Sequence, residues 1–321
     1  MLNPKPPGII DTLSEGFISL NRHLWVLLLP IALDLLLAFG PGITSATVID
    51  TLLNQAASAV PVGGGGEQGA DLSAGITEFR GEWLQVNLLA ALTMHLPSAV
   101  TVTAMVPKVQ GQVVADITSW PEWFGAMGVL VASALALASV YLTGLAGCVR
   151  GNPPGAGGLL NASGRTFGRL LALYGMVVFV GIPVSLVLIW LISLIGGLAP
   201  VMASLLGTLL MAAFMLAAFY AAFLEEALVL TGAWPVPSAI ISARVVFRHF
   251  WSTLGFIALT LLITTGVPVV WRLLVGNPAG LIAVIVAHAY ISSGLAVAAM
   301  LFFWQRRSLV VAQNSGAQSL S

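Results

Sequence analysis

The amino-acid sequence predicts an all-α polytopic integral membrane protein, with about six transmembrane helices and amphipathic helices at the cytoplasmic interface. Three observations predict it: a composition that cannot clothe a water-facing surface, six apolar runs long enough to span, and a one-sided placement of arginine. Of 321 residues, 58% are hydrophobic and 7% charged, with mean hydropathy +1.00, whereas soluble domains carry about 25% charged residues. Twelve Lys+Arg and twelve Asp+Glu cannot solvate so long a chain, so lipid is its main solvent. Zero net charge and a pI near 6.9 leave no broad basic surface and argue against nucleic acid as a partner. The single cysteine, Cys148, has no partner for an internal disulfide, and no Cys/His pair has zinc-ligand spacing.

A hydrocarbon core about 30 Å thick takes roughly 20 apolar residues as helix. Six stretches meet that need: Leu24 to Phe39, Phe124 to Cys148, Leu170 to Ile195, Leu198 to Phe223, Phe250 to Trp271, and Gly280 to Trp304. The first is short and ends at Gly40-Pro41-Gly42, so it extends backwards or crosses where the bilayer is thinned. It reads as a retained span and not a cleaved leader, because Asp34 interrupts it and no small-residue cleavage site follows.

Cytoplasmic segments carry the excess of Lys and Arg. With the amino terminus inside, nine of the twelve basic residues fall on the inner side: Lys5, Arg22, Arg150, Arg165, Arg169, Arg244, Arg248, Arg306 and Arg307. Arg80, Lys108 and Arg272 fall outside. Both termini are therefore expected in the cytoplasm, with residues 305–321 as a tail there. Trp25, Trp251 and Trp304 mark inner ends and Trp120, Trp123 and Trp271 outer ends, where amphipathic rings settle. The membrane expected is the cytoplasmic membrane of a prokaryote.

The outer loop, Pro41 to Trp123, holds two amphipathic runs. Ile49, Leu52, Ala56 and Val60 share one helical face, and so do Leu72, Ile76, Phe79 and Trp83, with Pro61 and the flexible Gly63 to Gly66 between them. Leu84 to Val106 is apolar enough to compete as a seventh span. It contains Asn87, His95 and Pro97, and counting it would put Arg150, Arg165 and Arg169 outside. Interfacial or re-entrant helices are the preferred reading.

The chain also repeats itself. Arg22-His23-Leu24-Trp25 recurs as Arg248-His249-Phe250-Trp251, each time leading into a span. At the same offset Leu13, Phe17, Leu20 and Leu24 fall on Ala239, Ala243, Val246 and Phe250, a spacing that paints one face of a helix. A fainter copy precedes the third span at Leu160, Phe167, Arg169 and Leu171, with Gly164 and Ala172 where the first copy has Phe17 and Trp25. The unit reads as an interfacial amphipathic helix, starting near residue 8 in the first copy, then an Arg at the lipid headgroups and a hairpin of two spans. Copies in one orientation are related by an axis along the membrane normal.

The run from Phe223-Leu224-Glu225-Glu226-Ala227-Leu228 through Ser238-Ala239-Ile240 to Arg248-His249-Phe250-Trp251 resembles the poorly characterised families related to the membrane domain of glycerophosphoryl diester phosphodiesterases. The resemblance implies a six-helix membrane architecture and no particular activity. The phosphodiesterase chemistry of that group belongs to a separate soluble domain.

Few residues can carry chemistry. Asp34 lies within a span, where an acid costs about 2.5 to 3.5 kcal/mol on insertion scales and turns away from lipid. His288 in the sixth span can reach a similar depth, and such a pair suits a proton or cation relay; the structural alternative is a protonated Asp34 bonded to a neighbouring helix. Glu225 and Glu226 end the fourth span and are placed to pair with Arg244 or Arg248, a structural role, or to mark an ion entry. Arg22, Arg169 and Arg248 are the interfacial, lipid-facing cations of the three repeats. His95 lacks a second metal ligand nearby, and no metal or other cofactor is expected. Ala213, Ala217 and Ala221, like Gly144 and Gly147, are explained by close helix packing, and Pro30, Pro183 and Pro268 by kinks. There is no G-x-S-x-G, H-E-x-x-H or phosphate loop. The expected function is a non-enzymatic scaffold, assembly factor or lipid-contacting accessory, with membrane lipids and membrane proteins as partners. The competing expectation is a small permease or ion-coupled carrier using Asp34 and His288.

Overall fold

The computed structural model describes residues 7–59, 86–103, 114–151 and 155–318. Lys5, Arg80, Lys108, the joint from Pro61 to Gly66 and the amphipathic run from Leu72 to Trp83 lie outside them. The described residues form, in order, α1 (Ile9–Asn21), a 3-10 turn (Leu24–Leu27), α2 (Leu28–Phe39), β1 (Gly42–Thr44), α3 (Ala46–Ala59), a 3-10 helix (Leu88–Thr93), α4 (Ala99–Thr103), β2 (Val114–Asp116) and α5 (Trp120–Arg150). Then come α6 (Ala156–Met176), a π turn (Val177–Gly181), α7 (Ile182–Leu198), α8 (Pro200–Tyr220), α9 (Leu224–Thr231), α10 (Pro235–Arg248), α11 (Phe250–Trp271) and α12 (Pro278–Gln318).

Among the described residues, five helical stretches are long and apolar enough to cross a membrane: Trp120–Arg150, Gly157–Gly197, Pro200–Thr231, Phe250–Trp271 and Pro278–Val310. A sixth is counted if Ile9–Asn21 and Leu24–Phe39 are taken together as one broken span. The described residues are thus predominantly α-helical, as expected of an all-α protein, with five or six helices of spanning length. Between Val86 and Thr103 the chain forms helical pieces of six and five residues, too short to cross a hydrocarbon core. The stretch before the third span runs unbroken into it. Pro183 lacks an N–H, and the turn just before it widens, so that the Ile182 N–H reaches the Val177 carbonyl five residues back.

The chain divides into two compact units. The first comprises Met1–Val26, Ser139–Gly266 and Ile291–Ser321. Its centre is aromatic: the Phe302 ring stacks on Phe256 at 4.4 Å and on Phe223 at 5.4 Å. Arg306 is 1% exposed. Its guanidinium lies 3.4 Å over the Phe302 ring and donates to Ser252 Oγ at 2.9 Å, so stacking and a hydrogen bond replace water. In the same unit α1 lies on α12, with buried Thr12, Leu13, Gly16 and Leu20 facing inward. A Cβ on Gly16 would come within 2.8 Å of the Ala298 backbone nitrogen, and one on Gly294 would strike the Phe17 ring.

α7 and α8 form a hairpin of a different kind. Gly196 and Ala203 meet where the two helices approach, yet Phe179, Leu186, Trp190, Val201 and Phe214 all point away from the protein. The apolar windows of these two spans are 0% and 6% buried, against 56% for α5 and α12. Lipid tails would have to complete their packing.

The helix that follows is broken. α8 ends at Tyr220 and α9 starts at Leu224, which frees backbone groups that no water can satisfy inside a membrane. Ser242 on α10 takes them up: its Oγ donates to the Tyr220 carbonyl at 2.9 Å and accepts from the Phe223 N–H at 3.2 Å. Ser242→Ala leaves two backbone groups unpaired and is expected to cost about 2–4 kcal/mol. Thermal unfolding in detergent checks this, and an unchanged midpoint would show that the break is satisfied some other way.

The second unit comprises Leu27–Ala138 and Val267–Tyr290. Leu37, Ala38, Ala99, Val100, Val284 and Ile285 are central to its core. β1 and β2 pair in parallel, Gly42 opposite Val114 through Thr44 opposite Asp116. Asp116 accepts from Thr47 and, at 2.9 Å, from Thr44; the Thr47 hydrogen bond in particular holds its carboxyl below the usual aspartate range. On α3, Val48 and Leu53 are buried while Leu52 is exposed.

Candidate functional site

Asp34 sits on the inward face of α2 with Pro30, Leu33, Leu37 and Ala38, a helical spacing that carries it fully out of contact with solvent. Its partners stand at the start of α4. One carboxylate oxygen accepts from the Ser98 hydroxyl, and the other accepts from the Ala99 N–H at 2.7 Å. Ser98 in turn accepts from the Thr101 N–H at 3.2 Å, the bond expected of a residue that starts a helix. The donors of a first helical turn have no partner within the helix, and Asp34 supplies one across the unit. Chemically, the acid fastens the Leu96 to Thr103 segment to α2.

His288 lies on α12 and is 5% exposed. The hydrogen bonds of the Asp34 carboxylate run to α4 and not to this imidazole.

The other predicted residues lie in the first unit. Arg22 and Arg248 are exposed at the carboxyl ends of α1 and α10, where a cation complements the helix dipole. Glu225 and Glu226 stand in the first turn of α9, the favourable end for an anion. Glu225 accepts a hydrogen bond from Tyr174 Oη at 2.8 Å, tying α9 to α6. That tyrosine had no sequence signal.

Arg169 has company. Ala162, Arg165, Thr166 and Arg169 fall at steps of three and four along α6 and so share one face. Arg150, the last residue of α5, approaches from the side, its guanidinium donating to the carbonyls of Leu230 at 3.0 Å and Val229 at 3.4 Å. These residues, with Thr143, Ala146 and the stretch from Val229 to Gly232 that ends and caps α9, line a half-open cavity of about 230 Å³. Gly232 closes α9 in the left-handed conformation, φ 69°, which glycine adopts without strain. A Cβ there would sit 3.2 Å from the Arg169 guanidinium, so a side chain at this position would crowd that group. Arg150 and Arg165 enter the sequence reading only as topology markers. The spacing of Arg165 and Arg169 on one helix was the signal that could have joined them.

Compared with protein-family models, curated proteins and solved structures, the chain matches none.

Proposed function

We propose that this chain is a non-enzymatic integral protein of a prokaryotic cytoplasmic membrane, with both termini inside the cell. It contacts lipid along the cytoplasmic interface and serves as a scaffold or assembly accessory for other membrane proteins. The observation that carries this reading is the agreement between α1 and α10. At the repeat offset Thr12 matches Ser238, Gly16 matches Ser242 and Leu20 matches Val246, and all six are buried. Trp25 and Trp251, at matching positions after them, are 41% and 79% exposed. A small, hydroxyl-bearing inner face and an outward indole beside an arginine suit a helix held at the headgroup level, one side on protein and the other on lipid. The likeness to the membrane domain associated with glycerophosphoryl diester phosphodiesterases fits such a build.

Asp34 weighs against the competing carrier that would work through Asp34 and His288, since both its oxygens are engaged in holding α4. A relay group must exchange partners as it loads and unloads. Reconstituted vesicles with an internal pH dye test the choice. The wild-type protein and Asp34→Asn are both expected to leave proton and cation leak at the level of protein-free vesicles. Wild-type flux that Asp34→Asn abolishes would overturn the scaffold reading in favour of the carrier.

A further inference from the structure

The geometry points to a phosphoryl-binding site in the cavity formed by Arg150, Arg165 and Arg169, taking a phosphate monoester in preference to a diester.

Three guanidinium groups line one concavity, and no carboxylate stands among its lining residues. Arg165 and Arg169 are four apart on α6, a spacing at which like charges repel. An anion between them turns that repulsion into attraction. Planar guanidinium forks match the oxygens of a phosphate with paired hydrogen bonds. Arg150 is fixed by the Leu230 and Val229 carbonyls, so less freedom is lost when its remaining N–H groups bind. Thr143 and Thr166, which hydrogen-bond one another at 3.2 Å in the wall, add hydroxyl groups. Three cations in one place favour the charge of a monoester, about −1.5 to −2 near neutral pH, over the single charge of a diester.

Size and place narrow the ligand. A cavity of about 230 Å³ is smaller than the roughly 300–1,000 Å³ of sites that engulf whole small molecules. It suits a phosphoryl head whose remainder stays outside. Arg150 is the terminal residue of the spanning-length helix Trp120–Arg150, so the cavity sits at the end of a span, the depth of lipid headgroups. The same chemistry would accept the phosphate of an anionic lipid or a free phosphate ester. The lipid case deepens the lipid-contacting reading and rests on it; the free-ester case does not.

The full chain, purified in mild detergent, is offered phosphatidylcholine vesicles with and without phosphatidic acid, and separately glycerol 3-phosphate in solution. Retained lipid is read by native mass spectrometry and the soluble ester by titration calorimetry. Arg165→Gln with Arg169→Gln should weaken binding at least about tenfold, while Arg272→Gln with Arg307→Gln, which remove the same charge outside the cavity lining, should not. Retention of phosphatidic acid assigns the site to a lipid headgroup, and binding of glycerol 3-phosphate without lipid assigns it to a soluble ester. An arginine-directed reagent on the wild-type protein gives the same answer if the double variant fails to fold: the bound probe should shield Arg165 and Arg169 and leave the exposed Arg272 reactive. Binding of neither probe, equal loss in both double variants, or no selective shielding would overturn the site. The scaffold reading would survive that result, because it is judged by flux and not by this cavity.

Discussion

Asp34→Leu will release the segment from Leu96 to Thr103, lowering stability by on the order of 3–5 kcal/mol. The substitution keeps the apolar volume of α2 but strips the Ser98 hydroxyl and the Ala99 N–H of their acceptor, and a buried donor without a partner costs about 1–3 kcal/mol. Loss of α4 then exposes Ala99 and Val100, which belong to the core with Leu37, Ala38 and Ile285. Asp34→Asn keeps one acceptor oxygen in place and should cost only about 1–2 kcal/mol. Thermal unfolding in detergent, together with limited proteolysis mapped to residues 96–103, separates the two variants. Equal stability of Asp34→Leu and wild type would mean that the carboxylate does not hold α4, and the carrier reading would regain its residue.

Gly16→Leu should have an effect of similar size for the opposite reason, excess volume in place of a missing partner. A Cβ at Gly16 already meets Ala298 at 2.7–2.8 Å, including backbone atoms that cannot swing aside. Gly16→Ala is expected to cost about 1–3 kcal/mol and the larger side chain more. Leucine would lift α1 from α12, breaking the bond from Gln305 Nε2 to Glu15 at 2.9 Å and uncovering Leu13 and Leu20. The readout is protease cleavage within α1 at temperatures where the rest of the chain stays resistant. A Gly16→Leu protein that resists cleavage like wild type would show that α1 is not seated by this contact.

The spanning helices were legible because an apolar run of sufficient length has few other readings. Which side of each helix faces the protein was harder to read. The apolar face read on α1 and the turn after it is Leu13, Phe17, Leu20 and Leu24, expected to sink toward lipid; the residues buried against the protein are Thr12, Leu13, Gly16 and Leu20, while Leu24 is exposed. In water the greasy side turns inward; with lipid outside, large apolar groups gain little by burial and small or hydroxylated residues take the contact. The same reasoning explains the weak middle copy, whose helix buries Ser163, Thr166, Leu170 and Leu173. Only Ser163 coincides with the buried face of α1 at the repeat offset. Asp34 was visible as an anomaly, but its partners Ser98 and Ala99 stand at the start of a short helix more than sixty residues away, beyond any periodicity. The arginine cavity escaped because counting charges for orientation treats each arginine separately.

The α7–α8 hairpin touches so little of its own chain that acyl tails become part of its tertiary structure. How firmly it stands is then decided partly by the thickness and fluidity of the surrounding bilayer, as well as by its amino acids. A lipid environment of the wrong thickness would loosen this pair of helices first, while the aromatic centre around Phe302 stayed closed.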